Sequence, residues 1–196
     1  MTREQLISEA YLEEQRILHA SPRGYGGRGD KWASFVLELL KAHSLASMLD
    51  YGCGQGSLCR ALLDGFGDFR IVEGFDGMVE LREYDPAIPG KDEPPSAPAD
   101  LVVCTDVLEH IEHDKIHAVL CHLRELTGRA LFVVVSLVPT AKTLRNGKQA
   151  HILLRSEEWW RYQFEEHDFA LGKTVKGRDP KKDHKQFAAV WKPCGR

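Results

Sequence analysis

The residues best placed for chemistry begin with Asp50-Tyr51-Gly52-Cys53-Gly54-Gln55-Gly56. Glycine at every second position removes the Cβ that would stand between backbone and ligand, and it permits the positive φ of a tight strand-to-helix turn. The dinucleotide fingerprint is GxGxxG, and Ser57 stands where its third glycine would fall, so the spacing here is GxGxG. That departure disfavours a pyrophosphate against the helix N-terminus. A cofactor with a zwitterionic amino-acid end needs a nearby carboxylate as well as backbone amides, and Asp50 can supply it. A glycine turn without a ligand is the plain alternative.

A second concentration of chemistry is Asp106-Val107-Leu108-Glu109-His110-Ile111-Glu112-His113. In one reading Asp106 and Glu109 are loop carboxylates with no ligand. In the other, Asp106, Glu109 and His110 converge on a divalent cation, with His151 as a further ligand. A hard cation there would polarise a substrate hydroxyl and lower its pKa. His151 stands alone after the loop 137–150, and an isolated histidine is usually a packed or surface residue. Its place after the apolar run Ala130–Val135, on the face where a substrate is expected, makes it the candidate general base instead.

These residues need elements to hold them. Ser47–Tyr51, Val79–Tyr84, Leu101–Thr105, Ala130–Val135 and Phe187–Trp191 are the strand candidates. Between them lie amphipathic helices. One, over residues 3–19, carries Leu6, Ala10 and Ile17. The next has Asp30 at the N-cap position and Trp32, Phe35, Val36, Leu39 and Leu40 at helical spacing. Ser57–Leu63 follows the glycine cluster. Asp114 heads a helix with the stripe Ile116, Val119, Leu120, Leu123 and Leu126. Ser156 caps another, whose Trp159 and Trp160 read as core rather than as a substrate wall. Apolar strands alternating with such helices are buried on both faces, which makes a mostly parallel α/β sheet. Ligands in such sheets bind beyond the carboxyl ends of the strands, so the segments after Tyr51, Tyr84 and Thr105 matter most. Residues 86–99 hold five of the nine prolines and form a loop, and the glycine-rich stretch around Tyr25 reads as a lid.

The segment Leu49–Gly56 resembles motif I of the class I S-adenosylmethionine-dependent methyltransferases, and Asp100–Ile111 is similar to the fourth-strand motif of their small-molecule branch. The resemblance implies a doubly wound, Rossmann-like, mostly parallel seven-stranded sheet with an antiparallel C-terminal strand and helices on both faces. It divides the chain into an N-terminal helix and glycine-rich lid, residues 1–29, and a methyltransferase domain, residues 30–196. It implies S-adenosylmethionine as cofactor, held by Asp50, Gly52, Cys53, Gly54, Gln55 and Gly56, with Asp85, Pro86, Thr105, Asp106 and Val107 completing the site. Asp50 would support the methionine amino group, and Asp85, closing the second strand, would accept from the ribose hydroxyls. Asp85 lies farther along the chain than nucleotide sites usually place this acid; Glu73 and Asp76 fit that shorter distance, yet neither ends a convincing strand. Because only the proline-rich loop follows, the third strand is expected to be short or missing. Some relatives carry an E-x-x-E-H metal motif where this chain has D-x-x-E-H, and the shortened first carboxylate weighs against a metal.

The implied activity is methyl transfer to an oxygen or nitrogen of a small molecule. A nucleic-acid or glycan acceptor, or a cofactor-binding subunit without catalysis, is the alternative. A net charge of −3 gives no general pull toward nucleic acid or an anionic membrane, and the basic residues from Lys173 onward read as a solvated edge. Five cysteines without a CxxC pair, two of them inside apolar runs, read as reduced thiols. With a polar N-terminus and no apolar run of membrane-spanning length, the expected location is the cytoplasm.

Overall fold

Each apolar run becomes a strand. Among residues 1–21, 25–65, 79–176 and 185–195, which the computed structural model describes, β1 is Ser47–Tyr51, β2 Glu80–Tyr84, β3 Ala99–Thr105, β4 Thr127–Ser136, β5 Phe169–Thr174 and β6 Gln186–Pro193. They form one sheet in the order β2-β1-β3-β4-β6-β5. β1 pairs in parallel with β2 and β3, and β3 with β4, while β6 runs antiparallel to both β4 and β5. The mostly parallel sheet with an antiparallel end is therefore present, with six described strands rather than the expected seven. No strand interrupts residues 85–98, which join β2 directly to β3. Proline has no N–H to give to a ladder, so this segment is a poor strand former. About a dozen residues still suffice for a crossover between parallel strands.

Among the described residues six α-helices surround the sheet: α1 Arg3–Leu6, α2 Glu9–His19, α3 Ala33–Ala42, α4 Ser57–Gly65, α5 Ile116–Leu126 and α6 Glu157–Glu166. Successive strand residues point to opposite faces, and both faces are covered. Val102, Cys104, Leu131, Val133 and Val135 pack with α5 and α6 through Leu120, Leu123, Trp160 and Phe164. Leu101, Val103, Phe132 and Val134 pack with α3 and α4 through Val36, Leu40, Leu58 and Leu62. Trp160 is fully buried, as a core tryptophan should be, while Trp159 is packed at the margin of the same cluster.

Ser156 caps α6, its hydroxyl accepting from the Trp159 amide at 3.3 Å, a contact worth about 1 kcal/mol. Asp30 and Asp114 do not cap. A single 3₁₀ turn, Gly29–Trp32, takes up Asp30, and Lys115 rather than Asp114 precedes α5. The first helical segment divides into α1 and α2, and its buried face is Tyr11, Leu12, Gln15 and Leu18; Ala10 and Ile17 face solvent. That face, with Ile7, meets Ala87, Leu144 and Ala150. α2 therefore lies across the carboxyl ends of the strands rather than on either face of the sheet. Two polar ties hold it there. Ser8 donates through its amide and hydroxyl to Glu112 at 2.8 and 2.7 Å, and Arg145 donates through its amide and Nε to Glu14 at 2.9 and 3.0 Å.

Candidate active site

The strand ends and α2 enclose a cleft of about 580 Å³. Its floor is the turn after β1. The Gly52 and Cys53 amides both donate to the Tyr84 carbonyl, at 2.7 and 3.0 Å, which holds that turn against the end of β2. Gly52 has φ +77°, and a Cβ there would meet Val107 Cγ2 at 2.4 Å, so the position requires glycine. The Gly54 amide donates to Asp85 Oδ2 and the Ala87 amide to Oδ1, both at 2.9 Å. Asp85 is thus fixed by backbone at the cleft wall. His19 Nε2 stands 3.8 Å from Asp85, beyond hydrogen-bond range. Burial pushes the His19 pKa down, so a neutral imidazole faces the carboxylate.

Asp50 is the penultimate residue of β1 and lies at the cleft. Burial, reinforced by Glu83 and Asp85 and opposed by Lys91, pushes its carboxyl up to about 7. Asp50, Gly52, Cys53, Asp85, Pro86, Thr105, Asp106 and Val107 all line the cleft. Gly54, Gln55 and Gly56 stand outside the lining. Gly54 lies beneath Gly26, Gln55 donates through its amide to the Gly26 carbonyl at 2.8 Å, and Gly56 sits against the Glu83–Lys91 ion pair. Those three residues shape the turn and seat the strap 25–29 on it. Glu73 and Asp76, like Arg178, Lys181, Lys182 and Arg196 of the basic tail, lie outside the described residues.

At the other end of the cleft, Glu109 is fully buried. Its Oε1 accepts from the Ser136 amide at 3.0 Å, and its Oε2 finds no hydrogen-bond partner among the described residues. Burial, with Asp106 adding to it, pushes this carboxyl up to about 8. His110 Nδ1 lies 2.8 Å from the Ala150 carbonyl and His151 Nδ1 lies 2.7 Å from the Val138 carbonyl. A carbonyl only accepts, so each Nδ1 carries the proton and each Nε2 keeps its lone pair. Burial and the neighbouring His151 push the His110 pKa down to about 4. The two rings meet edge to face at 4.8 Å, and one ligand atom each of Glu109, His110 and His151 lies within 4.8 Å of the other two. Asp106 does not join them. Held at φ +56°, it turns its carboxylate to Lys31 Nζ at 2.5 Å. The grouping that the cation reading calls for is thus three-membered, because Lys31 on the 3₁₀ turn captures the first carboxylate.

A family model described as a methyltransferase domain matches residues 26–179. The chain belongs to this family, within the class I S-adenosylmethionine-dependent methyltransferases. A sequence search of curated proteins finds no match. Among solved structures, the chain is similar to the N-methyltransferase NodS from Bradyrhizobium japonicum WM9, in complex with S-adenosylhomocysteine. The TM-score is 0.60 at 13% identity, over 95% of this chain and 99% of that one. It is similar too to an S-adenosylmethionine-dependent methyltransferase from Clostridium acetobutylicum ATCC 824, with a TM-score of 0.58 at 14% identity over 84% and 92%. The magnesium protoporphyrin IX methyltransferase from Synechocystis PCC 6803, with bound S-adenosylmethionine, gives 0.55 at 15% identity over 97% and 94%. At these identities the likeness is one of fold. Among the described residues no helix is long and apolar enough to cross a membrane.

Sequence reasoning missed Tyr11, Gln15, His19, Lys31 and Ser136, all of which line the cleft. The first three stand at i, i+4 and i+8 on α2, a polar and aromatic stripe on a helix whose other buried residues are Leu12 and Leu18. That spacing was the available signal. Tyr25, the expected lid residue, does face the cleft, its hydroxyl 3.1 Å from His110 Nδ1, 3.3 Å from His110 Nε2 and 3.3 Å from Gln15 Oε1.

Proposed function

We propose that this methyltransferase moves a methyl group from S-adenosylmethionine to an oxygen or nitrogen of a small-molecule acceptor, with His151 as general base and α2 with residues 25–29 as the cover of the site. The observation that carries the reading is the two-ended cleft: acids of the cofactor type on the β1 and β2 side, imidazoles held through Nδ1 by backbone carbonyls on the β3 and β4 side. The residues fit the cofactor. Gly52 lets the turn pass at positive φ against Val107, the buried Asp50 carboxyl would take an ammonium, and Asp85 keeps lone pairs for ribose hydroxyls beyond those given to Gly54 and Ala87. When bound, the sulfonium supplies a methyl group already activated for in-line displacement. The chain must then align the acceptor and remove its proton. His151 Nε2 takes that proton, while the Nδ1 bond to Val138 fixes its ring. A cleft of about 580 Å³ roofed by α2 suits a small acceptor better than a nucleic-acid or glycan chain.

The grouping of Glu109, His110 and His151 favours a second reading, in which a divalent cation between them polarises the acceptor. Calorimetry and turnover separate the readings. S-adenosylhomocysteine should bind and NAD should not; the reverse preference ends the methyltransferase reading for this cleft. With an acceptor found by screening small alcohols and amines, His151→Ala should lower turnover by about 10²–10⁴-fold, and chelators should leave the wild type unchanged. Loss of turnover on chelation, restored by Mg²⁺ or Mn²⁺, would select the cation reading.

A further inference from the structure

Two histidines and a cysteine meet outside the cleft. His117 and Cys121 stand four residues apart on α5 and so share a face; His167 closes the end of α6. His117 Nδ1 lies 2.9 Å from His167 Nε2, and Cys121 Sγ lies 3.7 Å from His117 Nε2. One ligand atom from each residue lies within 4.8 Å of the other two. Ligands bonded to a tetrahedral zinc ion at about 2.0–2.3 Å stand roughly 3.3–3.8 Å from each other. The three ligand atoms, none more than 4.8 Å from another, exceed that spacing by about 1 Å at most.

The orientation of His167 points the same way. Its Nδ1 is 2.6 Å from the Gln163 carbonyl, so Nδ1 carries the proton and Nε2 presents its lone pair to the cluster. Metal-ligating histidines characteristically donate their second N–H to a carbonyl or carboxylate in this manner, which fixes tautomer and ring plane before the metal arrives. His117 is exposed, with Cys121 and His167 half-buried, which leaves a path for an ion.

We propose that His117, Cys121 and His167 form a zinc site that clamps α5 to the end of α6. One thiolate with two imidazoles suits Zn²⁺, whereas Mg²⁺ and Ca²⁺ prefer oxygen. The fourth position is left to water. Burial, with Glu125 alongside, holds the Cys121 thiol above its ordinary value, so the thiol is protonated before binding. The ion forms a Zn–S bond as the S–H proton leaves to solvent, with no change of oxidation state. This site differs in kind from the Glu109, His110 and His151 group, which offers no sulfur.

Cobalt(II) is the probe, because a cysteine thiolate bound to it gives a near-ultraviolet charge-transfer band. Added to the full, metal-free chain, Co²⁺ should produce that band together with the visible bands of tetrahedral coordination, and one equivalent of Zn²⁺ should bleach both. Cys121→Ser should abolish the charge-transfer band while far-ultraviolet circular dichroism stays unchanged. His167→Ala should weaken Co²⁺ binding by at least about tenfold. A wild-type chain without the band, or a band that survives in Cys121→Ser, overturns the proposal.

Discussion

Replacing Asp50 by Asn should make the empty protein more stable and the cofactor complex weaker. The carboxyl is pushed from its ordinary 3.8 to about 7 by burial, Glu83 and Asp85. Both folded and unfolded chains carry it protonated below about pH 3.8. As pH rises toward 7 the unfolded chain loses this proton and the folded chain keeps it, so stability falls across that window and levels off above pH 7. About three decades of proton affinity, at about 1.4 kcal/mol each, set an upper bound on the order of 4 kcal/mol. An amide at this position has no charge to bury, so Asp50→Asn should recover part of that, on the order of 2 kcal/mol, at pH 8. Urea unfolding of wild type and variant between pH 4 and pH 8 reads the effect, because Glu109 and the other titrating groups contribute to both and cancel in the difference. The same carboxylate must be ionised to hold an ammonium. Wild-type affinity for S-adenosylhomocysteine should therefore rise up to about tenfold per pH unit between pH 5.5 and pH 7, then flatten. Asp50→Asn should lose that dependence and bind more weakly at pH 8. A variant no more stable than wild type at pH 8 would refute the burial penalty, and one that binds the cofactor product unchanged would refute the ammonium role.

Two further substitutions probe the turn and the wall. Gly54 has φ +51°, and a side chain there would strike the Gly26 carbonyl oxygen at 2.3 Å, so Gly54→Val should unseat the strap 25–29; calorimetry should give at least about tenfold weaker S-adenosylhomocysteine binding with circular dichroism retained, and unchanged affinity would mean the strap is not part of the site. Asp85→Ala removes an acceptor from the Gly54 and Ala87 amides and should weaken binding by about 1–3 kcal/mol; equal affinity would move the ribose role to another acid.

The central strands were legible because they are buried on both faces, which leaves unbroken runs such as Leu101–Thr105 and Ala130–Val135. β5 was not, since Phe169 is its one buried residue and it lies at the sheet edge, where Gly172 and Lys173 are tolerated. The glycine turn and the acids near the ends of β1 and β2 were readable because positive φ in a strand-to-helix turn demands glycine, and a carboxylate at a buried strand end stands out from the apolar run before it. The roof was harder. Tyr11, Gln15 and His19 reach the cleft only because α2 crosses the strand ends, and nothing local fixes which way a helix crosses. The diversion of Asp106 to Lys31 is of the same kind, a contact between residues 75 positions apart.

The antiparallel seal of the sheet has a consequence for how the chain comes to be made. β4 is buried without a break from Ala130 to Val135, and its outer edge is covered from Leu131 to Ser136 by β6, pairing back from Trp191 to Gln186. During synthesis every described residue that lines the cleft emerges before that cover does. In the interval the nascent chain presents Leu131-Phe132-Val133-Val134-Val135 with an unpaired ladder on one side, a short, uncharged, β-branched template for any other strand. A chain cut short before Gln186 would hold the complete glycine turn, both acids and both histidines, and would aggregate through that edge. The last strand thus protects the protein from its own copies, although none of its side chains lines the cleft.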